Sequence, residues 1–218
     1  MPAYTIYQRM TDEVYKLKRS DFINSNNPER IFNHIDDDDG SIWLVERVYS
    51  ASAYPALGYV QTNDGYAGAI YRNNQTGELI IVNAGTEKIL SVDGINVAQM
   101  VLGNVPTQYS TARRIVQDAL TLTKNIGEVS VTGHSLGGSL AQLQAIEFGT
   151  EAITFNAYDI RRILDSEQHR SKIPPRDAAL FESLNDNTFP ELFAAFRAGR
   201  NSSRIVNINI HNFNTAVA

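Results

Sequence analysis

Apolar and polar residues alternate over 42–49 and 66–71, the period of two that predicts half-buried strands. Beyond the second strand lies Asn73-Asn74-Gln75-Thr76-Gly77, whose composition predicts a hairpin turn. The unbroken run 79–82, Leu-Ile-Ile-Val, predicts a strand buried on both faces. Helical spacing governs elsewhere. Residues 107–124 carry an apolar stripe of Ala112, Ile115, Val116, Ala119, Leu120 and Leu122. Residues 11–22 predict a short amphipathic helix with Val14, Tyr15, Leu17 and Lys18 at mixed spacing, ended by the asparagines of 24–27. A further helix, 135–148, follows the β-branched strand 129–132 directly, and strand 152–155 comes after it. The segment 92–102 is apolar, broken by Gly94 and closed by Gly103 and Pro106. After a polar, helix-like stretch interrupted by Pro174-Pro175, residues 204–210 predict a last strand.

Strands alternating with helices of this length imply an α/β fold with a mainly parallel sheet covered on both faces. The strand ends at Val82, Thr132 and Phe155 then line one crevice at the carboxyl edge, where such sheets bind ligands. With 218 residues and 43% apolar content, the chain suits a single domain over 1–218. Within it, 1–60 gives an N-terminal helix and strand, 61–160 the central core, and 161–218 the C-terminal helices and last strand. The net charge of −5, without a Lys/Arg cluster, gives nucleic acid no footprint. There is no cysteine, so disulfides, thiol catalysis and thiolate metal sites are excluded. The N-terminus lacks a basic stretch followed by an apolar one, and no run approaches the roughly 18 apolar residues of a membrane span. A soluble chain is expected, cytoplasmic by default, with export by a signal-independent route left open.

The chemistry concentrates at Gly133-His134-Ser135-Leu136-Gly137-Gly138. A strand, a glycine-flanked serine and an immediate helix form the context of a nucleophile elbow. Side chains at Gly133 or Gly137 would obstruct the turn that lifts the Ser135 hydroxyl above the sheet edge. Gly138, Ala141 and Ala145 give the following helix a small-residue face. A serine needs a base to take its proton and donors aimed at the developing oxyanion. The elbow implies the Leu136 N–H as one donor. The second should follow another strand of the crevice, where Asn83-Ala84-Gly85-Thr86 places a glycine and a hydroxyl.

The pair Asn83-Ala84-Gly85-Thr86 and Val131-Thr132-Gly133-His134-Ser135-Leu136-Gly137-Gly138 resembles the class 3 lipase-like family of α/β-hydrolases. Ile153-Thr154-Phe155-Asn156-Ala157 is similar to a strand of the bacterial lipase-like domains in that group, and the likeness covers about 60–160. The resemblance implies Ser135 as nucleophile, Thr86 and Leu136 as the oxyanion hole, and the apolar segment 92–102 as a lid able to touch a membrane surface transiently. A core helix is the alternative for that segment. The resemblance also implies a three-layer α/β-hydrolase-like sandwich hydrolysing acyl esters of glycerolipids, truncated at its C-terminus if the triad acid and base lie beyond Ala218.

The end of the chain departs from the family pattern. Its members carry an aspartate after the next strand and a histidine well downstream, yet here no carboxylate follows Glu191. Three explanations stand. The triad acid and base lie beyond Ala218; or Asp159 is the acid and His211 the base, keeping the Ser-Asp-His order; or hydrolase activity has been lost. His34 precedes the whole sheet and His169 sits in a polar stretch, so both are poorer bases. His134 is expected to turn away from the hydroxyl and support the motif. Asp159 has the alternative reading of a helix N-cap.

Asp37-x-Asp39-Gly40 followed by Glu46 matches much of a calcium loop, but Ile35 occupies the first ligand position and a strand replaces the second helix. No metal and no cofactor are expected. The sequence therefore leads to a serine carboxylester hydrolase acting on lipid acyl esters. The alternatives are a catalytically incomplete domain that binds lipid or protein, and hydrolysis of another acyl substrate such as a thioester or peptide.

Overall fold

The structure, a computed structural model, describes residues 4–18, 34–50, 59–85, 100, 104–123, 125, 128–164 and 205–209. Helix α1 spans Tyr4–Val14 and tightens into a 3₁₀ turn, Tyr15–Lys18. Strands β1 (His34–Asp36), β2 (Ile42–Ser50), β3 (Val60–Gln61), β4 (Gly68–Asn73) and β5 (Leu79–Asn83) follow. Then come α2 (Tyr109–Thr123), β6 (Val129–His134), α3 (Leu136–Phe148), β7 (Glu151–Phe155), the single turn α4 (Arg161–Leu164) and β8 (Ile205–Ile208).

One sheet runs in the order β1-β2-β4-β5-β6-β7-β8, with β3 paired to β2. It is mostly parallel but mixed. β1, β2, β4 and β5 pair antiparallel in succession, whereas β5 to β8 are parallel. The reason lies in the connections, because a tight turn can join only antiparallel neighbours. Between β4 and β5 the Asn73 side chain accepts from the N–H groups of Gln75 (2.9 Å) and Thr76 (3.0 Å), and Gly77 takes a φ of 77°. The aspartate run forms the second such turn: Asp37 and Ser41 pair across it at 2.9 Å, joining β1 to β2. The motif that suggested a calcium loop is thus a hairpin. Its carboxylates serve the turn, Asp39 accepting from Ser41 N–H and Asp37 from Trp43 Nε1. Among the described residues no cluster of three or more His, Asp or Glu is arranged to hold a metal ion.

β5 sends alternate residues into two apolar clusters, and β6 joins it in one of them. Leu79, Ile81, Val129 and Val131 pack under α2 and α3. Ile80 and Val82 pack under α1, against Ile6, Tyr7, Met10 and Val14. Helix α1 therefore begins seven residues before the expected 11–22, because Ile6, Tyr7 and Met10 carry its buried stripe; residues 19–22 lie outside the described residues. Of the apolar segment 92–102 only Met100 is described, and it is buried beside α2 rather than turned outward. No described helix is long and apolar enough to cross a membrane.

Candidate active site

Ser135 sits where β6 ends and α3 begins, with φ 54° and ψ −124°. Such a backbone costs an ordinary residue about 1–3 kcal/mol and persists only where its surroundings impose it. Here they do. The Ser135 N–H donates to Phe155 O at 3.0 Å, tying the turn to β7, and Ser135 O accepts from Ser139 N–H at 3.1 Å as α3 starts. A Cβ on Gly133 would lie 2.7 Å from Asn83 O and fall on the Gly137 backbone. One on Gly137 would drive into the backbone of Asn83 and Ala84. The two glycines let β5, the elbow and α3 touch backbone to backbone, as the sequence spacing implied.

The Ser135 side chain makes no capping hydrogen bond to α3. As the first residue of α3, Leu136 has no carbonyl four residues back in the helix to receive its N–H. That N–H and the positive end of the helix dipole lie beside the hydroxyl, a setting that favours developing negative charge. Thr86, the expected second donor, lies outside the described residues. The strand that leads to it is held firmly. Asn83, fully buried, donates to Thr132 O (3.1 Å) and Gln144 Oε1 (2.9 Å) and accepts from Tyr66 Oη (2.6 Å). Gln144 returns a bond to Asn83 Oδ1 at 3.3 Å and reaches Ala112 O on α2. The sequence reading missed this paired amide; its signal is a glutamine amid the apolar residues of α3.

His134 turns its ring to Tyr15, whose hydroxyl meets Nδ1 at 2.8 Å, with the ring planes crossed at 61°. Burial lowers its pKa to about 4, so the ring is neutral near pH 7. Asp159 lies beyond β7 with its carboxylate on Arg161: Oδ1 accepts the Arg161 N–H at 2.9 Å and Oδ2 meets Nη2 at 2.6 Å. Both side chains are largely exposed. This is the cap-and-ion-pair geometry of a helix start, and among the described residues it carries no bond to a histidine. His34 is exposed on the distant edge strand β1. His169 and His211 lie outside the described residues. β8 nevertheless runs parallel to β7, and Ile208 O accepts the Asn156 N–H at 3.0 Å. The strand that precedes His211 in sequence therefore ends at the same edge as Ser135.

A search of curated proteins finds no match. A comparison with protein families matches residues 9–171 to the phospholipase-like Tle-like phospholipase domain. The match runs from the middle of α1 through α4, taking in the elbow, Asn83 and Gly85. It spans most of the chain, which belongs to the Tle-like phospholipase domain family, whose name points to the hydrolysis of lipid esters.

Proposed function

We propose that this chain is a serine carboxylester hydrolase acting on lipid acyl esters, built as a three-layer α/β-hydrolase-like sandwich of the class 3 lipase kind. The observation that carries the proposal is the strained Ser135 backbone, φ 54° and ψ −124°, held between a strand end and a helix N-terminus. Ordinary turns do not retain such strain without use. Family membership supports a lipid ester as the substrate class.

In this reading Ser135 Oγ attacks the ester carbonyl while the base removes its proton. The oxyanion accepts hydrogen bonds from Leu136 and Thr86. The base returns the proton to the departing alcohol, leaving an acyl-serine. Water, deprotonated by the same base, releases the fatty acid and restores the serine. His211 is the proposed base, supported by its position three residues past Ile208. Asp159 is the candidate acid, its carboxylate also held by Arg161. The segment 92–102 is the proposed point of transient contact with a lipid surface.

The test is a fluorophosphonate probe on the full chain, read by intact mass, beside S135A and H211A. One adduct per wild-type chain, lost in S135A, is expected; loss in H211A as well identifies the base. Phospholipid and acylglycerol vesicles then assign the head group, and faster turnover of aggregated than of monomeric substrate supports surface action. A second reading, a domain that binds lipid or protein without hydrolysis, rests on the engagement of Asp159 by Arg161. An unlabelled wild type would favour it.

A further inference from the structure

Three polar contacts join β6 to α1 and to the 3₁₀ turn that continues it, across an otherwise apolar layer. Tyr7 Oη meets Ser130 Oγ at 3.0 Å, Thr11 Oγ1 lies 3.4 Å from Thr132 Oγ1, and Tyr15 Oη meets His134 Nδ1 at 2.8 Å. The helix partners are four residues apart and the strand partners two. Four residues of helix advance about 6 Å, and two residues of strand about 6.6 Å. Helix and strand therefore stay in step, and the last rung arrives at the residue before the nucleophile.

The Tyr15 hydroxyl also fills space that glycine leaves. A Cβ on Gly85 would fall on Tyr15 Oη and come within 2.5 Å of His134 O. One hydroxyl thus touches both segments that flank the reaction centre: the loop following β5, which leads to Thr86, and the last residue of β6, which precedes Ser135. Oxyanion donors work at about 2.7–3.1 Å from the atom they stabilise. The spacing between these two segments sets whether both donors reach it.

We propose that Tyr15 is a positioning residue for the reaction at Ser135, its hydroxyl bracing the nucleophile elbow against the loop after β5 through His134 Nδ1 and Gly85. Which partner donates in this bond is set by which ring nitrogen carries the imidazole proton, so the contact and the His134 tautomer are coupled. Tyr15 need touch no substrate. It acts on rate through geometry, since a misplacement near 1 Å costs about a hundredfold.

The inference rests on Ser135 being the nucleophile, and the experiment separates the two. Fluorophosphonate labelling rates are measured on wild type, Y15F and Y7F, with urea midpoints and the ¹⁵N signals of His134. Y7F removes the same hydroxyl from the far rung. Y15F is expected to slow labelling about tenfold or more and to redistribute the His134 tautomers, while Y7F labels at the wild-type rate. Tyr15→His, which keeps a ring donor, is expected to recover part of the rate, and it tests the same contact should Y15F fold poorly. Equal rates in Y15F and wild type, or equal slowing in Y15F and Y7F, overturn the inference while leaving Ser135 in place. A wild type that never labels overturns the reading of Ser135, and this inference with it.

Discussion

At Ser135 a backbone that costs about 1–3 kcal/mol is held by a bond to Phe155 O and by backbone contacts that only Gly133 and Gly137 permit. The residue before it carries a second consequence of the same crowding. Burial holds the folded His134 near a pKa of about 4, whereas an unfolded chain titrates near 6.5. Above about pH 6.5 both states are neutral there, and His134 adds no pH dependence. Between about 6.5 and 4 the unfolded chain binds a proton that the fold excludes, so stability falls as pH falls. The ring keeps some surface in water, which limits the effect to about 1–2 kcal/mol. Urea titrations of wild type and H134Q at pH 7.5 and pH 4.5 measure it: wild type should lose that much more than the variant. An equal loss in both would show that His134 is already protonated in the fold at pH 4.5.

Elements differ in how plainly they could be read, and the difference follows the range of the interactions involved. The β4–β5 turn and the elbow were legible because their determinants lie within a few residues: Asn73 bonds the N–H groups two and three places on, and Gly133 and Gly137 flank Ser135. The start of α1 was not, because Ile6, Tyr7 and Met10 gain their meaning from Ile80 and Val82 far along the chain. The Tyr15–His134 and Asn83–Gln144 pairs span 119 and 61 residues, and although Gln144 stands out among the apolar residues of α3, nothing local names the partner in either pair. The reversal from parallel to antiparallel pairing was implicit in the predicted 73–77 turn, which admits only antiparallel neighbours, yet nothing local fixed the direction of β2. At the start of α4, Asp159 holds the Arg161 N–H and side chain, the geometry expected of a helix cap. D159N should therefore cost about 0.5–1 kcal/mol of stability, as a lost helix cap does, and leave ester hydrolysis within about twofold. A fall approaching ten-thousandfold, the scale of losing a triad acid, would instead install Asp159 in the catalytic machinery.

Across the whole molecule, the same strands serve both apolar layers. Leu79 and Ile81 face α2 and α3, and Ile80 and Val82 face α1, so β5 cannot lose one cover without exposing residues interleaved with those of the other. Buried polar pairs reinforce this from both sides: Asn83 ties β5 to α3 through Gln144, and Tyr7 ties α1 to β6 through Ser130. The two layers should unfold together, and the chain carries its own probe for each. Its single tryptophan, Trp43, is buried in the α1 layer, whereas α2 and α3, the longest of the described helices and contributors to the far-ultraviolet circular dichroism, lie in the other. Fluorescence and circular dichroism should therefore report one urea midpoint, the signature of a two-state transition. M10A on one side and I115A on the other each remove a fully buried side chain and should cost about 2–5 kcal/mol. Each should also shift both signals equally. A Trp43 transition that moved alone in M10A would mean that the α1 layer opens by itself. The proposed bracing by Tyr15 would then belong to a layer able to detach, and its loss would precede unfolding of α3, the helix that follows Ser135.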